Sequence, residues 1–118
     1  MTIEEIFSKI QSHMIKGMMI HSQFADYYGF IGLEEYSKIH EKRYVEESRG
    51  YRELSNYFVH YYNKIIPEQK IDNPQIIPEA WYKYKRQDVK NNTRKSALET
   101  GFVKWIEWEK ETVHLYKD

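Results

Sequence analysis

The sequence predicts an all-α, four-helix bundle in a single domain, residues 1–118. Three observations carry that expectation. Apolar residues recur in steps of three and four over long stretches, the period of one helical face. Glycine and proline are scarce, five and three in 118 residues, so little interrupts a helix. The prolines are confined to one stretch, Pro67, Pro74 and Pro78, and a proline cannot sit in a helix interior.

The first helix is expected over about 3–29. Thr2 and Glu5 form a capping box, in which each side chain satisfies a free backbone N–H at the helix start. The seam then runs Ile3, Phe7, Ile10, Met14, Gly17, His21, Phe24, Tyr28. Two of these depart from the apolar rule, Gly17 by having no side chain and His21 by being polar.

"YYGFIGLEE" places a reversal at Gly29 and Gly32, because glycine accepts the left-handed conformation that ends a helix. A second helix is expected over about 32–65. Its seam is Leu33, Tyr36, His40, Tyr44, Glu47, Tyr51, Leu54, Phe58, Tyr61, Ile65. Next comes a long crossover, "IIPEQKIDNPQIIPE". Pro78 with Glu79 suits the first turn of a short third helix over about 79–91. Thr93 can cap a fourth helix over about 94–117, with the stripe Leu98, Gly101, Trp105, Trp108, Thr112, Leu115 and with Ala97 and Phe102 at its margins. Two hairpins joined by one long proline-containing crossover result.

Composition narrows the function classes. Eighteen basic and 18 acidic side chains cancel, so no global charge favours nucleic acid or an anionic membrane. Cysteine is absent, which removes disulfides, thiolate metal sites and cysteine nucleophiles. No apolar run approaches the ~20 residues of a membrane span. The amphipathic, acidic start "MTIEEIFSKI" is unlike a signal peptide, so a cytoplasmic protein is expected. No nucleophile elbow and no phosphate-cradling glycine loop is present, and catalysis is not expected.

The stretch "HSQFADYYGFIGLEEYSKIHEKRYVEESRGYRELSNYF", with a histidine before the turn and His and Glu positions after it, resembles the first hairpin of small ferritin-like proteins. The helix layout resembles that superfamily as well, which joins two hairpins by one long crossover. The resemblance implies a ferritin-like bundle and raises a metal site of Fe, Zn or Mn. The superfamily's motif takes a Glu from each of two helices and Glu-x-x-His from each of the others. Here Glu111 and His114 form one such step, His40 has Ser37 where the Glu would stand, and the first helix carries no Glu on its seam.

Helical phase tests these candidates. With Gly101 set at 0° and ~100° per residue, the tryptophans of the last helix lie within about 40° of it. Glu111 then falls near −80° and His114 near −140°. Glu111 borders the buried stripe and could be at most a fourth ligand; His114 points to solvent. The seam residues His21, His40 and Glu47 are the better candidates. A reversal centred between Phe30 and Ile31 pairs residues whose numbers add to 61. That sets His21 opposite His40, Met14 opposite Glu47, and Gly17 opposite Tyr44, with His13 in reach of Glu47. Neutral imidazole and carboxylate suit Fe, Zn or Mn. The same groups would equally form a satisfied buried hydrogen-bond network that fixes helix register, and this second reading is favoured.

Residues 81–95, "WYKYKRQDVKNNTRK", form the one basic segment, interleaved with aromatics. That composition can bind phosphates and stack bases, but it matches no recognised nucleic-acid motif and a nucleic-acid partner is not expected. Eleven tyrosines are too many for so small a core. Tyrosine is enriched at interfaces, so a homo-oligomer, most simply a dimer, or a protein partner is expected. The favoured function is binding or scaffolding without catalysis; the alternative is a degenerate ferritin-like metal protein using His21, His40 and Glu47, and a second alternative is weak nucleic-acid binding through residues 81–95.

Overall fold

A computed structural model describes residues 1–68, 71–72, 74–77 and 89–117. These contain three α-helices and no strand: α1 (Ile3–Phe30), α2 (Glu34–Tyr62) and α3 (Asn91–Lys117). The all-α expectation holds. The short helix expected over 79–91 falls mostly on residues 78–88, outside the described ones. Its last residues differ from the expectation: Val89 and Lys90 are non-helical, and Asn91 already opens α3. Thr93 therefore sits inside α3 rather than capping it.

Each boundary has a local cause. Thr2 accepts a hydrogen bond from the Glu5 amide at 3.1 Å and starts α1. At the other end Leu33 N–H donates to the Tyr28 carbonyl at 2.9 Å and Gly32 N–H to Gly29 at 3.2 Å. That pair of bonds is a Schellman motif, and Gly32 takes the left-handed φ of +81° it requires. Asn63, also left-handed at φ 56°, ends α2 after Tyr62. Ile65, expected on the α2 seam, consequently lies beyond the helix and is 83% exposed.

α1 and α2 form a close antiparallel hairpin, and α3 packs on it, touching α1 and, through Phe102 on Tyr36 and Trp105 on His40, α2. Tyr27 donates to the Ala97 carbonyl at 3.0 Å, Trp108 stacks on His13 at 4.3 Å between ring centres, and Lys16 pairs with Glu111 at 3.3 Å. The core runs through Ile20, Phe24, Tyr27, Tyr28, Ile31, Ala97 and Trp108. Ala97, expected at a margin, is buried there.

The described part of the crossover is tied down beside α1. Ser8 Oγ donates to the Pro67 carbonyl at 2.8 Å. Gln23 holds the strap further along: its amide nitrogen donates to the Pro74 carbonyl, and its oxygen accepts from Ile76 N–H at 2.8 Å. Lys104 of α3 donates to the Ile76 carbonyl at 2.7 Å. Both backbone groups of Ile76 are thus satisfied from two helices while its side chain joins the core. Among the described residues no helix is long and apolar enough to cross a membrane.

Candidate functional site

α1 and α2 bring His21 and His40 together, as the antiparallel pairing from the turn requires. Their Nδ1 atoms lie 2.9 Å apart, and the residues are 2% and 0% exposed. Two imidazoles sharing one hydrogen bond through like-named nitrogens must be opposite tautomers. One Nδ1 carries the proton and the other accepts it. Burial depresses both pKa values to about 4, so the pair is neutral at physiological pH.

The surroundings are aromatic. His40 stacks on Phe24 at 4.5 Å, meets Trp105 edge-on at 4.5 Å, and lies 5.6 Å from Tyr28. Trp105 directs its N–H away, to Glu109 at 2.9 Å. His40 Nε2 and the Tyr28 hydroxyl are both buried without a hydrogen-bond partner among the described residues.

Glu47 is not part of this pair. It lies one layer away, half-buried and packed beside Gly17 and Trp108: a methyl on Gly17 would come 3.2 Å from its carboxyl carbon and 3.1 Å from the Trp108 ring. Burial raises its pKa, and Glu109 adds to the rise. The pairing rule gives Gly17 to the Tyr44 ring, but the groups it admits are Trp108 and Glu47, and Tyr44 is 40% exposed. Residues three and four apart share one helical face, so Gly17 meets the α2 residue one step on from its nominal opposite. Ser37 Oγ donates to the Ala25 carbonyl at 2.8 Å, Gln11 meets Ser55 at 3.1 Å, and Phe7 lies 4.9 Å from Phe58. Tyr62 rather than Tyr61, which is 69% exposed, packs against Phe7.

His13 does not take Glu47 as its hydrogen-bond partner. Its Nε2 meets Thr112 Oγ1 at 2.9 Å. Thr112 already donates to the Trp108 carbonyl at 3.1 Å, so it accepts from His13, whose proton is on Nε2. Glu111 is a surface partner of Lys16, half-exposed, and His114 is exposed, both as helical phase requires. Among the described residues no group of three His, Asp or Glu side chains is gathered for a metal.

Two further contacts had no sequence signal specific enough to find them. One is the clasp of Gln23 and Lys104 on Ile76, since nothing in a polar helix residue marks which carbonyl it will meet. The other is Gly101, whose position on the α3 stripe was visible but whose partner, Tyr28, was not. Of the basic segment, residues 81–88 lie outside the described ones; Arg94 is occupied by the Ile31 carbonyl at 2.7 Å and by Asn91 at 3.0 Å.

Comparison with protein-family models, curated proteins and solved structures gives no match.

Proposed function

We propose that this protein is a non-catalytic binding or scaffolding module that acts by self-association or through a protein partner. The supporting observation is where its chemistry and its apolar surface lie. The polar pair His21–His40 is closed inside the bundle, while Val103, Ile106, Val113 and Tyr116 of α3, each more than half exposed, stand on the outside. A buried neutral pair suits register-setting; exposed aliphatic and tyrosine side chains suit a protein surface that becomes covered. A cytoplasmic setting belongs to the same reading. Light scattering on size-separated protein tests it: the mass should rise with loading concentration, or a partner should co-elute in stoichiometric amount. A constant monomer mass with no stoichiometric partner would count against it.

A second reading, a degenerate ferritin-like metal protein for Fe, Zn or Mn, draws on the juxtaposition of two imidazoles at 2.9 Å. An ion there would replace the shared proton, and Glu47 and Glu111 would have to move to join it. It also needs the fourth helix of the ferritin-like layout. Elemental analysis separates the two readings. Metal retained by the wild type and lost in a His21→Ala/His40→Ala variant would support the second one; equal, sub-stoichiometric content would reject it.

A further inference from the structure

The main chain of the strap is held by side chains of two helices. Gln23 of α1 makes a two-point contact: its amide nitrogen donates to the Pro74 carbonyl, and its oxygen accepts from Ile76 N–H at 2.8 Å. Lys104 of α3 donates to the Ile76 carbonyl at 2.7 Å. Residues 74–76 are non-helical, and their burial alternates. Pro74 is half-buried, Gln75 is exposed, and Ile76 is buried with its side chain in the core. That alternation is the pattern of an extended segment.

We propose that the groove between Gln23 of α1 and Lys104 of α3 is a receptor for an extended Pro-x-aliphatic peptide of a protein partner, and that the chain's own residues 74–77 occupy it as a displaceable, autoinhibitory ligand. The inference rests on the protein-partner reading above and specifies its surface. Recognition of an extended peptide combines main-chain hydrogen bonds, which supply affinity, with a pocket for an alternate side chain, which supplies specificity. Both are present here. The clamp grips main-chain atoms of residues two apart, and one aliphatic side chain between them joins the core. The gripping groups belong to the helices, so the groove does not depend on which chain supplies the peptide. Proline at the first position has a fixed φ and no N–H, and it offers a carbonyl alone. Ile77 precedes Pro78 in the sequence and is biased towards extended backbone. A peptide of this composition is shaped in advance, which lowers the ordering cost of binding.

The strap competes for the groove from within the same chain. A tethered occupant acts at an effective concentration on the order of millimolar, so a partner peptide meets a wild-type groove that is already filled. Weakening the strap without touching Gln23 or Lys104 should therefore unmask binding. Ile76→Ser does this, because it withdraws the aliphatic side chain that the strap places in the core.

The probe is a fluorescein-labelled peptide with the sequence of residues 71–77, IDNPQII. Its binding to the full chain is read by fluorescence anisotropy, with circular dichroism as the control for folding. The Ile76→Ser protein should bind it saturably, more tightly than the wild type by a factor of roughly ten or more. Adding Gln23→Ala, which removes the contacts to Pro74 and to Ile76 N–H, should weaken binding roughly tenfold. The peptide carrying the Ile76→Ser change should not bind. Absence of saturable binding by the folded Ile76→Ser protein overturns the proposal, and so does binding indifferent to Gln23→Ala. Should Ile76→Ser fail to fold, the wild type decides. Millimolar peptide should displace its strap and accelerate amide exchange at Ile76; unchanged protection overturns the displacement. A partner that co-elutes equally with wild type and Gln23→Ala leaves the protein-partner reading standing and overturns the groove as its site.

Discussion

His40 has two ring nitrogens out of solvent and one hydrogen bond. Its Nδ1 is paired with His21, and its Nε2 has no partner among the described residues. Removing His21 would leave both nitrogens unpaired. An unsatisfied buried polar group costs about 1–3 kcal/mol, so His21→Leu should lower stability by about that amount beyond its packing change. Replacing both partners with apolar groups removes the unmet demand altogether. His21→Leu/His40→Leu should therefore be less destabilised than the two single substitutions together, a difference that a urea-unfolding double-mutant cycle measures directly. An additive cycle would mean that the 2.9 Å contact contributes nothing as a pair. Tyr28 presents a similar case: its buried hydroxyl has no partner among the described residues, and burial raises its pKa to about 12. Tyr28→Phe removes an unmet group and should be neutral or stabilising.

At the scale of elements, the packing of α3 on α1 depends on Gly101. A methyl group there would fall on the Tyr28 hydroxyl and 2.9 Å from the Tyr28 Cζ. Tyr28 is fully buried and cannot swing away, so Gly101→Ala should cost about 1–3 kcal/mol through overpacking. Adding Tyr28→Phe takes away the nearest atom and should recover part of the loss in thermal melts; no recovery would place the clash elsewhere. The strap offers a second test. Gln23→Ala deletes both bonds to Pro74 and Ile76, and amide exchange at Ile76 should accelerate well before global unfolding, since its N–H has lost its acceptor. Unchanged protection at Ile76 would show that burial alone holds the strap. These contacts also mark the limit of what the sequence could disclose. Period located α1, α2 and α3, and capping signals located the two ends of α1, because both depend on neighbours within four residues; Thr93 misplaced the start of α3, which opens at Asn91. The meeting of His21 and His40 was legible too, because a tight turn sets the register nearby. The Gly17 partners and the Tyr61-to-Tyr62 exchange were not, because periodicity fixes a face and does not choose among the neighbours that share it. The strap's bonds join residues 28 or more positions apart, and periodicity carries no information at that range.

For the molecule as a whole, the buried histidines couple stability to pH. His21 and His40 are held at pKa values of about 4, below the 6.5 of a free imidazole, chiefly by desolvation. Charge on His21 is favoured by Glu109 and Glu46 and opposed further by Arg43; for His40 both His21 and Arg43 act against it. His13 is shifted in the same direction by burial, with Glu111 and Glu109 opposing the shift and Lys16 adding to it. A depressed folded-state pKa means that the unfolded chain binds more protons between about pH 4 and 6.5. Stability should therefore be complete above pH 6.5, fall as pH drops through that window, and level off for these groups below about 4. The pair should supply at least on the order of 3 kcal/mol of that change. Glu47 acts in the opposite sense, since its raised pKa makes the folded state the better proton binder over the carboxylate range, and it softens the lower end of the slope. Urea midpoints measured from pH 7 to pH 4 should show the decline in the wild type and a much shallower one in His21→Leu/His40→Leu. Parallel declines in the two proteins would assign the acid sensitivity to the remaining groups, and the histidine pair would be electrostatically silent.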